Sequence, residues 1–226
     1  MKYDLHIHSG LSPCAEDEMS PNNIVQMAKL HQLELISITD HNSTYQQDIM
    51  AMVAELHGLI YWFGVEVTTS EDVHVLAYFS KSEHIKNFQK IIDEFTVFRQ
   101  NRIDIFGHQI IYDLKDKHSQ EVQQCLLQAL NLNLKDCISS IHENHGKAVL
   151  AHIYGRENGV ITQLGFIPQD LYLDGIEVVS DQESLRFKEE YPQLKQLPIF
   201  INSDAHRLGA IIKDHHELPD LNWFKK

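Results

Sequence analysis

Cysteine is scarce in this sequence: three residues, Cys14, Cys125 and Cys137, occur among 226. An odd and widely spaced set does not build a disulfide framework and is typical of a reducing compartment, so we expect the protein in the cytoplasm. The first residues contain no apolar segment of the signal-peptide kind, and the chain has no run of about 18 apolar residues. These absences predict neither secretion nor insertion into a membrane.

Basic residues are also few, with 19 Lys and Arg against 32 Asp and Glu, which gives a formal net charge of −13. Non-specific binding of nucleic acid depends on basic side chains that displace counterions from phosphates, and attraction to anionic membranes depends on the same side chains. We therefore expect neither long nucleic acid nor a membrane as a partner. Bound divalent cations would reverse the charge locally while the formal count stays negative.

Short apolar runs alternate with longer segments of helical periodicity. Seven runs predict strands: residues 3–8, 35–39, 59–68, 73–79, 148–151, 175–179 and 198–202. Repeated strand–helix–strand order is typical of an α/β fold with a mostly parallel sheet, and about seven strands in a chain of this length favour a closed or nearly closed (β/α) barrel of the TIM type. We expect one domain over 1–226, with residues 82–146 as a mostly helical insertion or layer.

Histidine, by contrast, is abundant, with 15 residues, and several of them lie at predicted strand ends beside carboxylates. In a parallel barrel the functional side chains lie at the carboxyl ends of the strands. The candidates there are His6, His8, Asp40, His41, Glu66, His74, His152, Asp204 and His206. Imidazole and carboxylate together suit Zn, Mn or Fe. So many candidate ligands exceed the needs of one ion, which predicts two or three divalent metal ions with shared carboxylates.

Each of these motifs has an ordinary structural explanation when it is taken alone. Two histidines on one strand are common, Asp-His after a strand is often a helix N-cap, and core contacts can satisfy a single histidine such as His152. These explanations fail together, because all the residues fall at strand ends, in strand order, among apolar neighbours. We therefore prefer the interpretation as a metal site.

The motifs resemble, in their order along the chain, those of the PHP (polymerase and histidinol phosphatase) family. They are Asp4-Leu5-His6-Ile7-His8-Ser9, Ile38-Thr39-Asp40-His41, Gly64-Val65-Glu66, His74-Val75-Leu76, Ala151-His152 and Ser203-Asp204-Ala205-His206. The resemblance implies a distorted seven-stranded barrel with a trinuclear metal site at its C-terminal rim, and hydrolysis of phosphate esters. It implies as metal ligands His6, His8, His41, Glu66, His152, Asp204 and His206, while His74 would contact either metal or substrate.

The sequence departs from the family where an Asp or His usually follows the His-x-His motif. Counting six residues from His8 reaches Cys14, whereas counting back from the predicted helix start at Ser20-Pro21 reaches Glu16. We favour Glu16, then Asp17, as this ligand, although a Cys14 thiolate would suit Zn. The alternative for this acidic run is a solvated loop before a helix N-terminus, where acidic side chains are favourable.

The residues and the resemblance together predict a metal-dependent phosphoesterase. We expect a phosphomonoesterase that acts on a small phosphorylated metabolite or nucleotide, with a metal-activated hydroxide as the nucleophile. The sequence contains no Gly-x-Ser-x-Gly motif that would supply a serine instead. His206 or His41 could protonate the leaving alcohol. The planar guanidinium of Arg156 could bind two phosphate oxygens, and a plain surface position for Arg156 is equally compatible with the sequence.

Two other functions stay open at this point. An amidohydrolase or deaminase also begins with His-x-His on a barrel strand and ends with an Asp, but it lacks the early Asp-His and the late Asp-x-His. A non-catalytic PHP module would bind a nucleotide or a partner through a site that has lost ligands, whereas only one ligand position departs from the pattern here. Nothing in the sequence specifies an oligomeric state.

Overall fold

The computed structural model describes residues 1–212, 216–218 and 223–225, and strands form where the apolar runs lie. The strands are β1 (Tyr3–Ile7), β2 (Leu35–Ile38), β3 (Ile60–Tyr61), β4 (Phe63–Thr68), β5 (His74–Phe79), β6 (Ile110–Tyr112), β7 (His118–Glu121), β8 (Lys147–Leu150), β9 (Gly175–Val178) and β10 (Ile199–Ile201). Strands β1, β2, β5 and β9 are fully buried, as expected for strands covered on both faces.

The helices occupy the segments between the strands. They are α1 (Pro21–Leu30), α2 (Gln47–Leu56), α3 (Ser82–Phe95), α4 (Ile103–Phe106), α5 (Leu134–Glu143), α6 (Val160–Leu164) and α7 (Asp181–Glu190). Helix α1 begins as predicted, with Ser20 as its N-cap and Pro21 at its first position, where the missing amide hydrogen of proline costs nothing. Among the described helices, none is long and apolar enough to cross a membrane.

Two sheets hold the strands that matter for the site. The first has the order β1-β2-β3 and is parallel throughout. The second has the order β10-β9-β8-β5-β4, in which β8, β9 and β10 are parallel and β5 runs antiparallel to both β4 and β8. The predicted α/β class is therefore confirmed as a mixed α/β fold.

Single bridges connect the first sheet to the two outer strands of the second sheet, β10 and β4. Ile7 at the end of β1 bridges to Ala205 after β10, and His41 after β2 bridges to Glu66 in β4. Between the sheets, apolar side chains from both form one buried cluster, to which the first sheet contributes Leu5 and Leu35 and the second contributes Phe200. In the described part of the chain, these bridges and side-chain packing join the sheets, and no continuous ladder of backbone hydrogen bonds runs from one sheet to the other.

The helices cover the outer faces of the sheets. Helices α1 and α2 pack their buried residues, among them Ile24, Ala28 and Val53, against Ile36 and Ile38 of β2. Helices α3 and α5 pack in the same way on the second sheet, within the largest apolar cluster of the protein. Burial of these apolar helix faces stabilises the fold by roughly 25 cal/mol per Å² of apolar area. The loops at the strand ends are therefore not needed to form the core.

The prediction of a mostly helical segment over 82–146 is wrong in its middle part. Between α3 and α5 the chain forms the short helix α4 and an antiparallel hairpin of β6 and β7. The hairpin turn depends on Asp113, whose Oδ1 accepts the amide hydrogens of Lys115 and Lys117 at 2.8 and 2.9 Å. Asp116 adopts a left-handed φ of 57°. Strand β7 is mostly exposed and contains polar residues such as Gln and His, so a search for apolar runs does not find it.

The predicted single strand over 59–68 is also wrong, because it divides at Trp62 into β3 and β4. Strand β3 pairs with β2 in the first sheet, while β4 pairs with β5 in the second. The amide of Trp62 donates to the carbonyl oxygen of Ile36 at 3.1 Å. The chain therefore passes from one sheet to the other within one continuous apolar run, which shows no break in composition.

Candidate metal centre

The predicted ligands converge at one end of the two sheets. His8 follows β1, His152 follows β8 and Asp204 follows β10, so each lies where a strand passes into a loop. His74 is the first residue of β5 rather than its last. Because β5 runs antiparallel to both of its neighbours, its start lies at the same end as their rim residues. One reversed strand thus explains why this histidine begins its strand.

The carboxylate of Glu66 lies at the centre of the cluster and is 1% exposed. Five imidazole nitrogens surround its oxygens: Nδ1 of His74 at 2.8 Å, Nδ1 of His41 at 3.1 Å, Nε2 of His152 at 3.2 Å, Nε2 of His8 at 3.3 Å and Nε2 of His6 at 3.4 Å. A buried carboxylate is stable only with compensating positive charge nearby. The cluster therefore requires protons or metal ions among its nitrogens.

A second carboxylate, that of Asp204, faces the same histidine pair. Its Oδ1 lies 3.3 Å from Nε2 of His6 and 3.2 Å from Nε2 of His8. Its Oδ2 accepts a hydrogen bond from Nη1 of Arg156 at 2.7 Å. Asp204 therefore links the buried histidines to Arg156, the residue that the sequence analysis proposed for phosphate binding.

Hydrogen bonds on the far side of the rings determine which nitrogens face the cluster. Nδ1 of His6 lies 3.0 Å from both oxygens of Glu177, so Nδ1 carries the proton and Nε2 presents its lone pair. Nδ1 of His8 lies 3.0 Å from Oγ of Ser12, which donates its own hydrogen to Asp40 at 2.7 Å. Ser12 therefore accepts from His8, whose Nε2 also presents a lone pair.

Two of these outer partners, Glu177 and Ser12, are candidate functional residues that the sequence analysis missed. Glu177 is buried in β9 and also accepts hydrogen bonds from Nδ2 of Asn202 at 2.6 Å and from the amide of His152 at 2.9 Å. A signal existed, because Gly175-Ile176-Glu177 repeats the pattern Gly64-Val65-Glu66, in which one acidic residue interrupts an apolar strand. Orientation of metal-binding imidazoles by such carboxylates is common in metalloproteins.

The donor set fits divalent metal ions. Three overlapping groups each offer three ligand atoms that lie within 4.8 Å of one another: His8, His41 and His206; His6, His8 and Glu66; His41, Glu66 and His74. Nδ1 of His41 and of His74 lie close to Glu66 but form no hydrogen bond with it, and Nδ1 of His152 is also buried without a hydrogen-bond partner. Such buried atoms are costly unless a ligand binds there. Nε2 of His6 and of His8 lie 3.2 Å apart, and two lone pairs at this distance require a cation between them.

The nearby carboxylates favour protonation of His6 and His8 when no metal is bound. Burial alone would lower the pKa of His6, but the carboxylates, above all that of Glu177, raise it well above its usual value. Burial also opposes protonation of His8, yet its hydrogen bonds to Asp204 and Glu66 raise its pKa to about 9. Protons and metal ions therefore compete for the same lone pairs.

This competition predicts opposite pH dependence for the metal-free and the metal-loaded protein. In the metal-free protein, His8 has a pKa of about 9 against an ordinary 6.5. Its charge therefore stabilises the fold fully below about pH 6.5, and this contribution is lost as the pH rises through about 9. In the loaded protein, protons displace metal as the pH falls, so stability increases with pH over the same range.

Thermal unfolding of chelator-treated protein and of protein supplemented with Mn²⁺ or Zn²⁺, measured from about pH 6 to about pH 9.5, tests this prediction. We expect Tm to fall with pH in the first sample and to rise in the second. Equal slopes in the two samples would contradict the assignment of His8 as a shared ligand of protons and metal.

Two of the predicted ligands have left-handed backbone conformations. The φ angle is 24° at His152 and 51° at Asp204, which costs a residue other than glycine roughly 1–3 kcal/mol. Such a conformation persists only where the surroundings impose it. The amide of His152 donates to Glu177 at 2.9 Å, and the amide of Ser203 donates to Asp4 at 3.2 Å. The backbone strain thus lies at two of the predicted metal ligands.

The cluster opens into a cavity of about 420 Å³, which we call the metal cavity. Its lining includes Cys14, His41, Glu66, His74, His152, Arg156, Asp204 and His206. A larger cavity of about 660 Å³, beside β10 and α7, contains none of the predicted site residues. The chemistry of the donor groups, rather than size, therefore identifies the functional cavity.

The structure does not bring Glu16 into the cluster. Glu16 is exposed, and its amide donates to the carbonyl oxygen of His206 at 2.9 Å, while Cys14 lines the metal cavity. The reason is local, because the loop after β1 makes successive turns, with the amide of Ala15 bonded to Ser12 and that of Met19 bonded to Glu16. Counting back from the helix assumed a straighter path. Asp17 is likewise exposed.

The two candidate proton donors are neutral histidines. Burial holds the pKa of His41 well below its usual value. Burial and the positive charge of His8 lower the pKa of His206 to about 4. A neutral imidazole is a metal ligand rather than an acid at pH 7. Arg156 lines the cavity with its side chain 44% exposed, so it is reachable from solvent.

Solved structures of hydrolases share this fold. A lesion-specific endonuclease from Pyrococcus furiosus aligns with a TM-score of 0.65 and 18% identity over 92% of this chain and 48% of its own. A candidate metal-dependent phosphoesterase from Bifidobacterium adolescentis aligns with a TM-score of 0.65 and 19% identity over 99% of this chain and 94% of its own. An amidohydrolase from Chromobacterium violaceum, solved with sulfate and without metal, aligns with a TM-score of 0.64 and 19% identity over 97% and 92%.

No protein-family model and no curated protein matches the chain. The chain spans about half the length of the endonuclease. Identities of 18–19% show a common fold alone. The grouped His and Glu side chains of this chain could hold a metal ion.

Proposed function

We propose that the protein is a metal-dependent phosphoesterase of the PHP type, which hydrolyses the phosphomonoester of a small metabolite or nucleotide. One observation carries the proposal: the carboxylates of Glu66 and Asp204 share a rim cavity with Arg156 and four imidazoles, and both carboxylates also contact the imidazoles of His6 and His8 behind it. The order of the motifs along the chain supports it. So does the similarity of the fold to a candidate metal-dependent phosphoesterase and to an endonuclease.

We assign two or three divalent ions, Mn, Zn or Fe, to this cluster. The proposed ligands are His6, His8, Cys14, His41, Glu66, His74, His152, Asp204 and His206. Cys14 takes the place of Glu16 because its side chain lines the metal cavity. When bound, such ions activate water for attack and neutralise charge on the phosphoryl oxygens.

The protein's own residues supply orientation and recognition. Glu177 and Ser12 hold the rings of His6 and His8 so that both Nε2 atoms face the cluster. Arg156 uses Nη1 for Asp204, which leaves other guanidinium hydrogens for two oxygens of a phosphate. Because the pKa values of His41 and His206 are lowered, we assign both to metal and neither to protonation of the leaving alcohol.

We further propose that residues 1–226 form one domain and that the two sheets are the halves of a distorted seven-stranded barrel, in which β3 and β4 count as one broken strand. The apolar cluster between the sheets and the bridges at both edges support this interpretation. Placement in the cytoplasm rests on the sparse, unpaired cysteines.

An amidohydrolase-type hydrolase is the second candidate, because a protein so described shares the fold. Arg156 favours the phosphoesterase, since a permanent cation at the cavity wall selects an anionic substrate. An endonuclease also shares the fold, but the net charge of −13 disfavours long nucleic acid.

A matched chromogenic series tests the proposal. Chelator-treated protein reloaded with Mn²⁺ or Zn²⁺ should hydrolyse p-nitrophenyl phosphate faster than bis(p-nitrophenyl) phosphate or p-nitroacetanilide. The double variant His6→Ala/Asp204→Ala should lose both bound metal and turnover. Preference for the anilide, or turnover that survives the double substitution, would overturn the proposal.

A further inference from the structure

A second cavity, which we call the arm pocket, adjoins the metal cavity. It measures about 300 Å³, and its lining includes Arg99, Arg102, Phe106, Leu127 and Gln128. Leu127 also lines the metal cavity, so the two spaces share one wall. Leu127 thus places the arm pocket directly beside the metal cavity.

The segment that forms the arm pocket, residues 99–128, is attached on two sides to loops at the rim of the candidate metal centre. Nδ2 of Asn42, in the loop after β2, donates to the carbonyl oxygens of Leu126 and Gln128 at 2.9 and 3.0 Å. On the other side, Gly107 approaches Pro13 so closely that a Cβ would lie 2.2 Å from its carbonyl oxygen, and φ at Gly107 is 99°. The pocket is thus held at a fixed place relative to the metal ligands.

The lining of the arm pocket suits a flat, polar-edged ring. Phe106 offers an aromatic ring and is 40% exposed, and Gln128 offers an amide. In the described residues Arg102 pairs with Asp104 at 2.9 Å, whereas none of the ion pairs involves Arg99. Aromatic faces and guanidinium planes stack on nucleobases, and side-chain amides bond to the base edges.

We propose that the arm pocket binds the base of a nucleoside monophosphate whose phosphate lies in the metal cavity. This inference rests on the proposed phosphoesterase function. Two adjoining cavities match a substrate in which ribose separates base from phosphate. A ring bonded directly to phosphate, as in a phosphotyrosine, would stay in the metal cavity, and a sugar phosphate would leave Phe106 and Arg99 without a partner.

The test compares adenosine 5′-monophosphate with ribose 5-phosphate, which has the same sugar and phosphate but no base. In the metal-loaded protein, kcat/KM for the nucleotide should exceed that for the sugar phosphate at least tenfold, mainly through KM, as expected for one stacked base. Phe106→Ala should lower the nucleotide value about tenfold and leave ribose 5-phosphate unchanged. The matched control is Phe98→Ala, at an exposed phenylalanine of the same segment outside the pocket lining.

A binding measurement separates this inference from the proposed function. Equilibrium dialysis of adenosine, which has no phosphate, should show binding that Phe106→Ala weakens and Phe98→Ala does not. If adenosine binds in this way but neither phosphate ester is hydrolysed, the pocket assignment stands and the phosphomonoesterase proposal fails. Equal turnover of the two esters, or equal effects of the two phenylalanine substitutions, overturns the pocket assignment.

Discussion

Replacing Glu66 by glutamine is expected to remove metal from the protein and to abolish hydrolysis. Five imidazole nitrogens lie within 3.4 Å of its carboxylate, so Glu66 contacts more of the cluster than Asp204 or Glu177 does. Glutamine keeps the shape, but it replaces one acceptor oxygen with an NH₂ group that points at ring nitrogens. Bound cations would then lose their most buried negative ligand.

The expected loss of activity exceeds the roughly 10- to 100-fold cost of removing an outer partner of a metal ligand. Elemental analysis of the purified Glu66→Gln protein should show metal content reduced together with turnover. The pKa of His8 should also fall from about 9, because Glu66 is among the groups that raise it. The pH dependence of Tm in the metal-free protein should therefore weaken.

The matched control is Glu55→Gln, which makes the same change of charge on the exposed side of α2. It should retain both metal and activity. If Glu66→Gln kept full metal content and turnover, the carboxylate would be a structural partner of the histidines, and the metal would have to bind elsewhere.

Much of the candidate metal centre could be predicted from the sequence because its residues lie at strand ends. His8, His41, His152 and Asp204 each follow a short apolar run, and the carboxyl ends of parallel strands meet at one rim. The periodicity of the apolar residues and the order of the motifs along the chain were sufficient to place these four residues at one rim. They were not sufficient for Glu16, since the path of the loop after β1 depends on turns that no spacing rule contains.

Parts of the fold depend on pairing and could not be predicted in the same way. The reversal of β5 requires knowledge of its partners β4 and β8, and an apolar strand has the same composition in either direction. The break at Trp62 depends on which sheet each half joins. The hairpin of β6 and β7 is exposed along β7, so the apolar alternation that marks buried strands is missing there.

Glu177 shows how an outer partner escapes a search for ligands. It lies within β9, is 2% exposed, and touches the cluster through Nδ1 of His6, the nitrogen that faces away from Glu66 and Asp204. Glu177 is not itself a candidate metal ligand at the strand ends, so a search for ligands does not identify it. Its signature is a single carboxylate inside an apolar strand, where a charge is stable only with a specific partner.

Replacing Glu177 by glutamine is expected to weaken metal binding by roughly 10- to 100-fold while the fold persists. The carboxylate accepts three hydrogen bonds, from His6, His152 and Asn202, and glutamine offers only one acceptor oxygen. If its NH₂ group faces His6, Nδ1 must accept that hydrogen and the ring proton moves to Nε2. The nitrogen that faces the cluster then has no lone pair for a metal.

This shift of a ring proton distinguishes a positioning role from a merely structural one. Competition with a chromogenic chelator should show reduced affinity in Glu177→Gln. ¹⁵N NMR of the metal-free protein, at a pH where the His6 ring is neutral, should report the tautomer with the proton on Nε2. Glu189→Gln, an exposed substitution on α7 with the same change of charge, should change neither. A Glu177→Gln protein that lost affinity but kept the His6 proton on Nδ1 would show that Glu177 acts through its charge or its packing and not through the tautomer of His6.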